Sequence, residues 1–434
     1  MSNSSFVNSA TSVNIDWAAL LQPADRIICS QMTAEPRALL RSLCAFLASG
    51  DADKRMPTSV FLGTPFSDVC RALPPAVELQ VFGGMGAAGA IGRVRPLSVL
   101  PVHYSVSAQL FATKVLPVDV VLLSLGCHPA TGQLYLGASH GHALAAARQA
   151  RVVIAEVNRC APCLPGGELP SDIRIDLKVE IDEPLQECGS FSADGVEQQI
   201  AAGVASRVPD GATLQVGIGS LAGALLQGLG SHRRLGVHSG LITPPLWELV
   251  RSGVVDNVHK GRDHGVSVCS AVFGDAVLYA EWAACGAVHL APPEVTHGVT
   301  SLGGLQRFTA LNSALEVDLL GQVNSESVGS RYIGGVGGLN DFVRGAAASP
   351  GGQSIVALPS RRVARGVQAP SVVPDLSGPA SIPASDADLF VSEYGVASLR
   401  GASRDQRAAR LIAIAHPEDR EALRAAARDK GLSV

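Results

Sequence analysis

Charge is scarce in this chain: Lys, Arg, Asp and Glu make up only 17% of its 434 residues, and the formal net charge is -4. No basic block breaks that pattern, so the electrostatic footprint of a nucleic-acid partner is missing. Aromatic residues are scarcer still, at 4%, against 47% apolar residues. That balance describes a tightly packed globular protein rich in Ala, Gly, Val and Leu. No apolar run approaches the roughly 18 residues of a membrane span. The start of the chain is rich in Ser and Asn and lacks both the basic start and the apolar run of a signal peptide. It is expected to be a disordered tail over residues 1–15 of a cytoplasmic protein. The nine cysteines are scattered and odd in number, which suits reduced thiols better than a disulfide framework. Cys160 and Cys163 form a lone C-x-x-C without a second pair or nearby histidines, so neither a metal nor another prosthetic group is expected.

What is present is alternation. Short β-branched runs such as Arg26–Cys29, Ser59–Leu62, Val118–Leu125 and Arg151–Val157 alternate with helical segments, the pattern of parallel sheets with crossover helices. A second series starts near residue 195, with strands expected at Thr213–Val216, Leu235–His238, Val266–Ala271, Ser354–Leu358 and Leu389–Ser392. Between the two series, Lys178–Ala193 is acidic, is interrupted by Pro184 and Gly189, and lacks periodicity. The expected fold is therefore α/β, two open, mainly parallel domains over residues 16–190 and 191–434. A chain of this length exceeds what one core usually fills.

Glycine marks the candidate binding loops. Gly217-Ile218-Gly219 lies between a strand and a helix, where backbone amides can hold an anion or an oxyanion. The run Gly334-Gly335-Val336-Gly337-Gly338, followed by Leu339-Asn340-Asp341, is costly in unfolded-state entropy and points to close backbone approach, with a ligand as the expected object. Glu316 and Asp318 read as either paired structural charges or site residues, and the segment ends in polar Asn324-Ser325-Glu326. There is no G-x-S-x-G elbow, Walker loop or H-E-x-x-H helix.

Taken in order, several long segments resemble the acetyl-CoA hydrolase and 4-hydroxybutyrate CoA-transferase branch of the family I CoA-transferases. They are Gly211–Gly219, Ala314–Glu326, Asn340–Ala346, Gly351–Ser360 and Ile412–Pro417. The resemblance implies two similar CoA-transferase-type domains with an acyl-CoA site between them, a homodimer, and ping-pong exchange through a glutamate that attacks the thioester. That glutamate closes a motif like G-I-H-S-E, and the matching residues here are Gly236-Val237-His238-Ser239-Gly240. Gly240 has no side chain with which to form an anhydride.

The function expected from this departure is direct acyl transfer from a CoA thioester, the substrate, to a small-molecule acceptor. His238 and Glu326 are the candidate bases, and Gly217, Ile218, Gly219, Asn324, Gly335, Val336, Gly337, Gly338 and Asn340 are the candidate binding residues. Two alternatives stand beside it. In one, another carboxylate such as Glu248 or Glu326 takes the missing role; in the other, the chain binds acyl-CoA without catalysis.

Overall fold

A computed structural model of the chain describes residues 13–49, 56–189, 192–329, 331–364 and 367–434. Most of the expected tail lies outside the described residues. Its end does not behave as a tail: Ile15 is buried and Trp17 packs into the first core, because two large apolar side chains are better placed there than in water.

Seven parallel strands form the first sheet, in the spatial order Ser98–Val99, Glu78–Val81, Ser59–Gly63, Arg26–Cys29, Val120–Cys127, Val152–Asn158 and Leu177–Ile181. A short antiparallel strand, Leu134–Tyr135, joins the end of Val120–Cys127. The second sheet runs Val288–Leu290, Ser267–Val272, Gly236–Ile242, Thr213–Val216, Phe308–Ser313, Gln353–Ala357 and Leu389–Ser392, closed by antiparallel Gly395–Ser398. Numbered in chain order, the parallel strands of both sheets follow 4-3-2-1-5-6-7. The same winding is thus built twice.

The strand sequences explain their depth. Val120–Leu125 and Val152–Val157 are nearly uninterrupted apolar runs because both faces of a parallel sheet are covered. Helices are anchored at their starts: Asp194 and Glu197 form a capping box on Gly195–Ala205, and Ser403 and Gln406 form one on Arg404–Ile414. The Arg37–Ala48 helix lacks a side-chain cap of its own. Instead, buried Glu156 accepts hydrogen bonds from Ala38 N and Leu39 N at 3.0 and 3.1 Å.

Two strands differ from expectation. Leu177–Ile181 falls in the segment read as irregular; it is an edge strand with alternating exposure. Phe308–Ser313, central in the second sheet, carries Thr309, Asn312 and Ser313 among its apolar residues, which breaks the apolar signature. Between Ile181 and the helix starting at Gly195, the described residues form neither helix nor strand.

Candidate active site

In open α/β sheets, ligands collect beyond the C-terminal strand ends, at the point where the winding reverses. In the second sheet that point lies between Thr213–Val216 and Phe308–Ser313. Gly217-Ile218-Gly219 leaves the first of these strands. It is pinned from below by a reciprocal amide pair between Gln215 and Asn312, at 3.2 and 3.0 Å, and by Ser220 donating to Glu197 at 2.6 Å. A Cβ added at Gly217 or Gly219 would meet nothing within 4 Å, and Ile218 is exposed. The loop therefore borders open space. Gly219 has φ +124, so only glycine is comfortable there.

Gly240 belongs to the next strand, Gly236–Ile242, which continues four residues beyond the expected end, through the glycine. Gly236 pairs with Thr213 and Val237 with Leu214, and continuing that register sets Gly240 level with Gly217. On its other side, Ser239 pairs with Cys269 and Leu241 with Ala271, which places Ser270 beside Gly240. The two sequence-chosen glycine positions thus share one strand-end crevice.

Above Gly240 sits a residue that sequence reasoning did not select. A Cβ at Gly240 would lie 3.0 Å from His297 Nε2, 3.3 Å from its Cε1 and 3.5 Å from Phe342 Cζ. His297 is buried between Tyr104 and Phe342, with ring centroids at 4.6 and 4.5 Å. Gly338 touches the same ring so closely that a Cβ there would overlap His297 Cδ2 and come within 2.7 Å of Nε2. The space beside Gly240 is therefore not simply vacant. The only sequence signal was a histidine before glycine, Thr296-His297-Gly298, which carries no recognisable spacing.

The first half of the chain closes this crevice. Tyr104 accepts a hydrogen bond from Gln31 Nε2 at 2.6 Å, its hydroxyl lies 3.4 Å from Ser270 Oγ, and its amide donates to Gly337 O at 2.9 Å. Ser105 donates through its amide and hydroxyl to Asp341 at 3.0 and 2.7 Å. Thr33 donates to Val272 O, His140 N to Ser270 O, and Gly84 N to Gly334 O. Both halves thus meet at Gly240 and the glycine run.

The glycine run has several separate reasons to be glycine. A Cβ at Gly334 would overlap Ser325 O, and one at Gly335 would lie 2.8 Å from Phe82 O, so these two allow the chain to pack against itself. Gly338 makes room for His297, and Gly337, at φ +50, faces open space. The expected close approach is present, but for three of the four the partner is protein. Val336 is half-buried between them, and Asn340 is buried with its Oδ1 unpaired.

The remaining candidates divide. His238 is buried on the same face of its strand as Gly240; its Nε2 lies 3.1 Å from Val295 O, and its Nδ1 has no partner. Burial, together with the charge of Lys260, pushes its pKa down to about 4, so the ring is neutral at physiological pH. Glu326 is enclosed, accepting from Ser381 at 2.8 Å and from Tyr332 at 2.9 Å. Asn324 donates to Glu316 and Ser327 O and accepts from the amides of Glu326 and Ser327, so it braces a small sheet. Glu316 and Asp318 are structural acceptors, the former also paired with Arg362. Glu248 is exposed on its helix, 3.7 Å from Arg251.

A cavity of about 560 Å³ lies away from Gly240, among Cys127, Cys160, Cys163, Leu185 and Tyr279. Burial pushes Cys160 and Cys163 up to about 11, so both remain thiols. Among the described residues, no group of three or more ligating side chains could hold a metal.

A duplicated parallel sheet with its crevice between the halves is the CoA-transferase architecture. RipA from Yersinia pestis superposes with a TM-score of 0.87 at 29% identity, over 95% of this chain and 96% of that one. A 4-hydroxybutyrate CoA-transferase from Porphyromonas gingivalis superposes at 0.76 with 28% identity, over 95% and 96%. Residues 274–427 match the acetyl-CoA hydrolase/transferase C-terminal domain. The 4-hydroxybutyrate coenzyme A transferase of Clostridium kluyveri is 37% identical over 321 residues, 73% of each chain. The chain belongs to the acetyl-CoA hydrolase and CoA-transferase family.

Proposed function

We propose that this chain is an acyl-CoA enzyme that passes the acyl group directly from the CoA thioester to a small acceptor, with no glutamyl-CoA intermediate. The family's named members are CoA-transferases and acetyl-CoA hydrolases, which supports an acyl-CoA thioester as substrate. One observation carries the rest: at Gly240, the residue expected from its motif to match the attacking glutamate, a Cβ would meet His297 Nε2 at 3.0 Å and Phe342 Cζ at 3.5 Å. The nearest atoms to that Cβ belong to His297 and Phe342, not to a carboxylate. Glu326 is saturated by Ser381 and Tyr332, and Glu248 lies exposed on its helix.

The acceptor attacks the thioester carbon, and the carbonyl oxygen becomes an oxyanion that backbone amides of the glycine loops are suited to stabilise. Collapse of the tetrahedral intermediate releases CoA. The test is intact-protein mass spectrometry after mixing with acetyl-, butyryl- and succinyl-CoA, combined with steady-state kinetics. Turnover with sequential kinetics and no adduct is expected. Ping-pong kinetics with a hydroxylamine-sensitive adduct on a carboxylate would overturn the reading. A homodimer belongs to the same reading, and sedimentation showing only monomer at micromolar concentration would contradict it.

A further inference from the structure

We propose that His297 is the catalytic base of the Gly240 crevice, its Nε2 taking the proton of a neutral hydroxyl acceptor as that acceptor attacks the thioester. This rests on the direct-transfer reading above and adds the residue and the acceptor class. Thr296 Oγ1 lies 3.3 Å from Pro292 O and 2.7 Å from His297 Nδ1. One hydroxyl proton serves only one acceptor, and a carbonyl can only accept. Both contacts are satisfied together when Thr296 donates to Pro292 O and accepts from Nδ1–H. Nε2 is then left with a bare lone pair.

That lone pair sits where the chemistry is expected. Nε2 makes no hydrogen bond and lies 3.0 Å from the position of a Cβ on Gly240, at the strand end level with the open Gly217 loop. Tyr104, Phe342 and Gly338 fix the ring plane. Burial, with His238 nearby, pushes the pKa down to about 3, so the base form is fully populated at neutral pH. Such an imidazole is weakly basic. It still accepts a proton from an attacking hydroxyl, whose oxygen becomes strongly acidic as it bonds to carbon.

The surroundings favour an uncharged acceptor. Among the described residues, no lysine or arginine hydrogen-bonds to Gln31, Tyr104, Ser270 or His297, and the nearby carboxyl is Asp341, held by Ser105. A carboxylate acceptor would find no lysine or arginine among the hydrogen-bond partners of these four residues and would have no proton to give. The balance is complete: the acceptor O–H bond breaks as the C–O bond forms, and Nε2 takes the proton. The C–S bond then breaks, the sulfur leaves with its electron pair, and Nε2–H returns the proton to give CoA thiol and an ester, or an acid when the acceptor is water.

The experiment measures CoA thiol release from acetyl-CoA and butyryl-CoA with water, glycerol or ethanol as acceptor, and CoA exchange between acetyl-CoA and butyrate, for the native protein, His297→Gln and His297→Ala. Circular dichroism and calorimetric CoA affinity serve as controls for folding. Thiol release is expected to fall about 10²–10⁴-fold in both variants, with CoA affinity changed less than threefold and partial rescue of His297→Ala by free imidazole. Thiol release in His297→Gln within threefold of native overturns the role of His297 while leaving direct transfer standing. An acyl group trapped on His297 also overturns it as a base. A native protein that exchanges CoA with butyrate through a carboxylate adduct overturns the underlying reading, whatever the variants do. Native protein that binds CoA yet releases no thiol to these acceptors overturns both.

Discussion

Adding one methyl group at Gly240 is a sharp test of the packing around His297. Ordinary contact distances for such atoms are about 3.5–4.0 Å, and the new Cβ would stand 3.0 Å from Nε2 and 3.3 Å from Cε1. The ring has little room to retreat, being confined by Tyr104, Phe342 and Gly338. Overpacking of this kind costs about 1–3 kcal/mol. For a cooperative unit of this size, each kcal/mol moves the melting temperature by about 2–4 °C. Gly240→Ala should therefore melt about 2–12 °C below the native protein. In a His297→Ala background the obstruction is gone, and Gly240 has no positive φ that alanine would find strained. There the same substitution should be neutral, or stabilising by about 0.4–1 kcal/mol through the unfolded chain. Thermal melts of the four proteins complete the cycle. An equal cost of Gly240→Ala in both backgrounds would refute the contact, because residues that touch do not give additive changes.

Three further outcomes are expected. Gly217→Val, whose added Cβ meets open space, should leave the melting temperature within about 2 °C yet weaken calorimetric CoA affinity at least tenfold; unchanged affinity would place the ligand elsewhere. Glu35 is the subject of a pH test, since burial above all raises its pKa to about 7, against roughly 4.3 in an unfolded chain. The folded state binds that proton more tightly, so the contribution is full below about pH 4.3 and is lost as pH rises through about 7. Glu35→Gln should flatten the decline of melting temperature over that window, and an unchanged slope would refute the assignment. Gly240→Glu should abolish native turnover while CoA affinity stays within a few-fold, and retained turnover would show that the crevice is not the reaction site.

The fold was legible because parallel strands buried on both faces announce themselves: Val120–Leu125 and Val152–Val157 read as strands on composition alone. Phe308–Ser313 was not legible. It is as deeply central, but its Thr309, Asn312 and Ser313 break the apolar run. At the candidate site, Gly217–Gly219 was found as a glycine-rich loop between strand and helix and Gly240 as a departure from the resembled motif, and the register brings Gly217 and Gly240 level. Asn324 and Glu326 were chosen as site candidates, and the structure gives both protein partners. A polar cluster at a strand end looks the same in sequence whether it faces a ligand or braces neighbouring loops, and the hydrogen bonds found here are of the second kind. His297 was missed because its importance lies in what surrounds it, Tyr104 from 193 positions earlier and Phe342 from 45 positions later, and no local pattern encodes that meeting.

Gly240, Gly338 and His297 constrain one another. The imidazole occupies the volume that the first carbon of a side chain at 240 would crowd at 3.0 Å, and a Cβ at 338 would overlap the ring outright. A glutamate at 240 and a histidine at 297 in its present rotamer are therefore poor neighbours, and one must move for the other to act. Beside Gly240 stands a hydrogen-bonded imidazole that burial keeps neutral, with Nε2 towards the position a side chain at 240 would take. Under the proposed direct transfer, a base in that volume calls for an acceptor that supplies a proton rather than a carboxylate.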